Sequence, residues 1–168
     1  MGSSSNTVDL GREAGEGTIG NYNINIGYKT GEASGSVSDA IRIGREAGQN
    51  STIKIAIGQQ AGENASNDYT QDATIIGDKA AQYLENHPDD PRAANLTFIG
   101  SQSGKSAKAV GTTLIGYNSG LEGILRQNTH IGSATAEYFE GSYCNSIGWH
   151  SLRFAKGIIT IVNYSLSM

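Results

Sequence analysis

One cysteine, two prolines and one tryptophan are all that this 168-residue chain holds of those types. A lone Cys144 excludes an internal disulfide framework, so the fold must be held by packing and hydrogen bonds. Charged residues make up only 17% and the net charge is −4, with no basic stripe, which argues against a nucleic-acid partner. No run approaches the roughly 18 apolar residues of a membrane-spanning helix, so no membrane insertion is expected. The opening lacks the basic, apolar, small-residue order of a signal peptide. Met1–Ser5 reads as natural sequence or a tag scar and stands outside the fold argument. Four Asn-x-Ser/Thr sequons, at Asn50, Asn64, Asn95 and Asn163, are what chance gives in a chain rich in Asn and Ser.

Glycine, by contrast, is abundant, with 23 residues at recurring places. Nine copies of aliphatic-Gly-x-x-small-small start at Leu10, Ile26, Ile43, Ile57, Ile76, Ile99, Ile115, Ile131 and Ile147, in steps of 16, 17, 14, 19, 23, 16, 16 and 16 residues. One short unit repeated along a chain is the mark of a solenoid, because each unit buries its apolar face only against its neighbours. The residue two before each aliphatic is Val8, Ile24, Ile41, Ile55, Thr74, Thr97, Thr113, Thr129 or Asn145, mostly β-branched. That period-two pattern predicts a strand in every coil. Four residues after the aliphatic every residue is small (Ala14, Thr30, Ala47, Ala61, Ala80, Ser103, Ser119, Thr135, Ser151), which predicts an inward turn. Glycine every few residues disfavours helix by roughly 1 kcal/mol each.

The expected fold is therefore all-β, a parallel β-roll or β-solenoid of about nine coils with two short strands and two turns per coil. Residues 8–152 form the roll, 1–7 a flexible N-terminus, and 153–168 a capping strand centred on Gly157–Tyr164. The one helix-like stretch is Asp78–Asn86. It opens an insertion at 78–92 that ends in the polar, turn-rich His87–Arg92.

The residue just before each aliphatic is expected to face the other way. It changes from Asp9, Asn25 and Arg42 through Ala56, Ile75, Phe98 and Leu114 to His130 and Ser146. Read as exposed, the four apolar members form a stripe that a partner chain or the insertion must cover, and these four are the candidate inter-chain contacts.

The repeats resemble those of trimeric phage tail fibres and tailspikes, and the related heads of trimeric autotransporter adhesins, whose coils read Asn-Thr/Ser-x-Ile-Gly-x-x-Ala-Gly. The residues that carry the likeness are Asn128-Thr-His-Ile-Gly132, with Asn145-Ser-Ile-Gly148 and Asn95-Leu-Thr-Phe-Ile-Gly100 out by one position. The likeness runs from about 8 to 152. It implies a left-handed roll, a homotrimer, and a role on a virion in binding a host-surface glycan or protein receptor. The steps here are longer and less regular than in adhesin heads. No export signal, heptad stalk, membrane anchor or chaperone domain is evident, which favours the fibre branch over a bacterial cell-surface adhesin.

No catalytic residue, metal or cofactor is expected. Gly100-Ser-Gln-Ser-Gly-Lys-Ser106 is one residue short of a phosphate loop and aligns with the other repeats. The aliphatic-Gly starts of hexapeptide acyltransferases would recur every six residues, not once per coil. His87, His130 and His150 have no metal-ligand spacing and read as surface residues. Glu85 with Asp89 and Asp90 reads as a solvated acidic loop rather than a cation site. Glu13 with Glu46, or Glu137 with Glu140, offer the carboxylate pair that a small polysaccharide depolymerase would need, but repeated glutamates read more simply as a solvent ladder. The better lead is aromatic: Tyr28, Tyr117 and Trp149 share one outward turn position. Tyr138, Tyr143 and His150 gather with Phe139 and Phe154 near the only tryptophan. Rings of this kind stack on sugar C–H faces. The alternative is that Tyr138, Phe139 and Phe154 plug the end of the roll.

Overall fold

The structure, a computed structural model, describes residues 6–65, 72–88 and 95–157. Nine three-residue strands stack in parallel as one long sheet: β1 (Val8–Leu10), β3 (Ile24–Ile26), β5 (Ile41–Ile43), β6 (Ile55–Ile57), β7 (Thr74–Ile76), β8 (Thr97–Ile99), β10 (Thr113–Ile115), β12 (Thr129–Ile131) and β14 (Asn145–Ile147). On the opposite side β9 (Lys108–Val110), β11 (Ile124–Arg126) and β13 (Glu140–Ser142) form a second parallel sheet, and β2 (Thr18–Ile19) pairs with β4 (Gly35–Ser36). The molecule is an all-β parallel solenoid, with nine rungs in the long sheet enclosing eight turns, and no α-helix among the described residues.

The repeated glycine sets the stacking. Gly27 N–H donates to Leu10 O, and the same bond recurs from rung to rung through Gly148 to Ile131 O at 2.7 to 2.9 Å. At Gly27, φ is +136° and an added Cβ would lie 2.6 Å from the carbonyl oxygen of Gly44 on the next rung. A side chain there is excluded by both backbone conformation and space. The small turn residues point inward as expected. Ala47, Ala61, Ala80, Thr30, Ser103, Ser119 and Thr135 are fully buried, and the polar ones are bonded; Thr30 Oγ1 donates to Gly44 O at 2.5 Å.

Sidedness is the main correction. Ala56, Ile75, Phe98 and Leu114, expected at an inter-chain seam, are fully buried within the chain itself. They form the middle of its core with Leu84, Leu96, Leu125 and Phe139. Strand alternation puts one set of residues inside and the other outside. The narrow interior of the roll takes the variable column, so the repeated β-branched and aliphatic residues face out.

The expected helix at Asp78–Asn86 does not form. Lys79, Ala81 and Tyr83 have φ of 54°, 52° and 58°, and their N–H groups donate across rungs to Gln59, Ser103 and Glu63 carbonyls. A helix would withdraw those donors from the ladder. Glu85 then bridges Lys108 in parallel, so residues 78–87 are an ordinary coil and the extra length of this repeat falls beyond 87. Residues 89–94, including Asp89 and Asp90, lie outside the described residues, as does the expected capping strand from 158 onward.

Candidate functional site

The outer face of the long sheet carries two columns, Val8 to Asn145 and Leu10 to Ile147. None of these 18 residues is charged, and none is buried. Val8, Leu10, Ile24, Ile41, Ile43, Ile131 and Ile147 are exposed, Ile147 at 66%. Eight steps of about 4.8 Å make this strip about 38 Å long; 13 of its 18 residues are aliphatic, and the other five, Thr74, Thr97, Thr113, Thr129 and Asn145, are polar but uncharged.

Two polar rims border the strip. One lies four residues before the second-column aliphatic and includes Tyr22, Asp39, Asp72, Gln127 and Tyr143. The other lies two residues after it and includes Arg12, Tyr28, Arg45, Asp78, Tyr117 and Trp149. Tyr22, Asp39, Gln127 and Tyr143 have φ between 53° and 60°, the left-handed corner at which the chain turns into the strand.

The aromatic candidates do not converge on one pocket. Tyr28, Tyr117 and Trp149 share the second rim, Trp149 at 75% exposure, and Trp149 stacks on His150 with centroids 4.0 Å apart. Tyr143 lies on the first rim, with the Arg126 guanidinium 5.9 Å from its ring. Tyr138 belongs to a different row at the outer turn and stacks on Phe154, centroids 5.1 Å apart and rings 1° from parallel. Arg153 sits 4.7 Å over Phe154 and pairs with Glu137 at 2.6 Å. Phe139 is wholly buried, whereas Tyr138 and Phe154 are exposed at 40% and 65%; of the three, only Phe139 is inside the roll.

The carboxylates are engaged in ladders. Lys29 bonds both Glu32 and Glu13, at 3.2 and 3.3 Å, and these bonds, Glu32 first, hold its pKa above the usual lysine value. Gln60 donates to Glu46 at 3.0 Å. Glu137 and Glu140 each hold a separate cation, Arg153 and Lys156, both at 2.6 Å. Glu85 pairs with Lys108 at 3.0 Å. No cluster of three metal-ligating groups occurs among the described residues. An open groove of about 340 Å³ runs beside the second sheet, lined by His87, Ile124, Glu140, Ser142 and Lys156.

Two histidines expected at the surface are buried: His87 at 5% and His130 at 0% exposure. His130 belongs to the interior column, where the rung spacing leaves it no route outward. Burial lowers its pKa to about 4. Arg42 in the same column is also fully buried, its pKa lowered to about 10 by desolvation. Its Nε donates to Ile53 O at 2.9 Å, while Nη1 and Nη2 have no hydrogen-bond partner among the described residues. The signal for both lay in the sequence, since each occupies the position that Phe98 and Leu114 fill elsewhere.

No family model, curated protein or solved structure matches the chain.

Proposed function

We propose that this chain is a rigid segment of a homotrimeric fibre of the kind carried on phage virions, acting structurally and in non-covalent binding of a host-surface receptor. The observation that carries the reading is the charge-free strip on the long sheet, whose Leu10-to-Ile147 column is aliphatic on every rung. Left in water it is unfavourable by about 25 cal/mol per Å²; set around an axis shared with further copies it becomes a common core. The sequence likeness to fibre repeats supports three copies. Sedimentation equilibrium tests the assembly: a mass near three times 17.6 kDa supports it, and a concentration-independent monomer overturns it.

For receptor contact, the exposed Tyr138–Phe154 stack on the outer turn, away from the strip, offers ring edges and the Tyr138 hydroxyl, with the Arg153 guanidinium over the Phe154 face and held there by Glu137. Sugar C–H groups pack against exposed aromatic surface of this kind, and the guanidinium donates to hydroxyls. Three copies on one rod raise weak single-site binding through effective concentration. Glycan-array binding by the wild type that survives in a Tyr138→Ala/Phe154→Ala variant would move the receptor site elsewhere, with Trp149 and His150 the next place to test.

A further inference from the structure

Resting on the fibre reading above, we infer that the aliphatic strip is covered by further copies of this same chain in a parallel, in-register ring, where the first rim of one long sheet meets the second rim of the next copy on the same rung.

Copies related by rotation about an axis along the rod keep their rungs level and bring opposite rims together. The residues then match. The exposed aromatics of the first rim are Tyr22 and Tyr143, on the second and ninth rungs, and on those same rungs the second rim carries Tyr28 and Trp149. Tyr22 and Tyr143 are 60% and 54% exposed, Tyr28 and Trp149 38% and 75%, so each has ring surface to bury. On the third rung, exposed Asp39 meets exposed Arg45 of the neighbouring copy. Among the described residues Arg45 has one ion-pair contact, a long one to Glu46 at 3.9 Å, which leaves the guanidinium available for a second carboxylate.

Other arrangements lose these matches. An antiparallel pairing sets first rim against first rim with the rungs reversed, Tyr22 against Gln127 and Asp39 against Gly111. A slip of one rung sets Asp39 against Tyr28 or Gln59. Two rungs of the ring make no favourable match: on the fourth the first-rim residue is Ile53, which is fully buried, and on the fifth Asp72 approaches Asp78, with Lys79 adjacent to the latter. Opposite charges at a rim set register and orientation more than affinity, and stacked aromatic pairs add to the area they bury.

A cysteine pair tests the register. Asp39 and Arg45 flank strand β5 and stand roughly 15 Å apart along it, beyond the roughly 7 Å that a disulfide bridges. Oxidised Asp39→Cys/Arg45→Cys protein should therefore link only between chains, closing into covalent rings on a non-reducing gel, while either single variant stays at 17.6 kDa. Photo-oxidation of the unaltered protein gives a second readout: a Tyr22–Tyr28 dityrosine peptide in the mass spectrum, lost in Tyr28→Phe. If sedimentation shows an oligomer but Asp39→Cys/Gln59→Cys links in place of the level pair, or the dityrosine joins other tyrosines, the register is wrong and the fibre reading stands. A monomer in sedimentation overturns both.

Discussion

His130 Nδ1 lies 2.7 Å from the Ser146 hydroxyl inside the roll, and that hydroxyl is 2.7 Å from Thr135 Oγ1, which in turn is 2.8 Å from Ser151 Oγ. The chain of hydroxyls satisfies one ring nitrogen of a buried imidazole, while the ring edge packs on Phe139 at 5.5 Å. With desolvation as the cause of its low pKa, the site holds neutral histidine and resists the cation.

Stability should therefore depend on pH. The folded pKa of about 4 lies below the unfolded value of 6.5, so the unfolded chain takes up the proton first. This contribution is complete above pH 6.5 and is lost as pH falls from 6.5 to 4, by roughly 3 kcal/mol at most. Thermal unfolding followed across that range should show the slope, and His130→Leu should flatten it.

Arg42 should be a net cost to the fold. A buried guanidinium with one hydrogen bond to a carbonyl, and no carboxylate paired with it among the described residues, keeps most of its desolvation penalty. Arg42→Met, which fills similar space beside Ala56, is expected to raise stability by about 1–4 kcal/mol in urea unfolding.

Adjacent residues of one strand should behave oppositely. Phe98→Ala opens a cavity in the core and should cost about 3–5 kcal/mol. Ile99→Lys, on the outward face, should leave the circular dichroism of the roll intact and reduce the sedimenting mass to that of one chain.

The glycine ladder should tolerate no side chain. Gly116 has φ of +134°, and a Cβ there would collide with the Gly132 carbonyl. Gly116→Ala is expected to cost more than about 2 kcal/mol, or to prevent folding, read as soluble yield and melting temperature.

Much of this was legible in the residues. The spacing from Leu10 to Ile147 located every strand of the long sheet, and the small residues after each aliphatic located the inward turn. Asp78–Asn86 misled because its composition suits a helix locally, while the backbone donors of Lys79, Ala81 and Tyr83 are claimed by the rungs on either side. The histidines misled because a polar residue is usually outside, and His130 instead belongs to a column whose place is set by strand alternation. The stacked Tyr138–Phe154 pair had a signal in the repeat spacing: each falls seven residues after its aliphatic, one rung apart.

The repeat, the strand in each coil, the all-β class and the recurring glycine positions all follow from the order of residues. Period-two alternation defines two faces of a strand but does not say which is inside, and apolarity pointed to the wrong one. The tertiary structure decided it, because closing the roll leaves a narrow interior lined by small turn residues. Ala56, Ile75, Phe98 and Leu114 fill that space, and the uniform ladder of isoleucines is left on the outside.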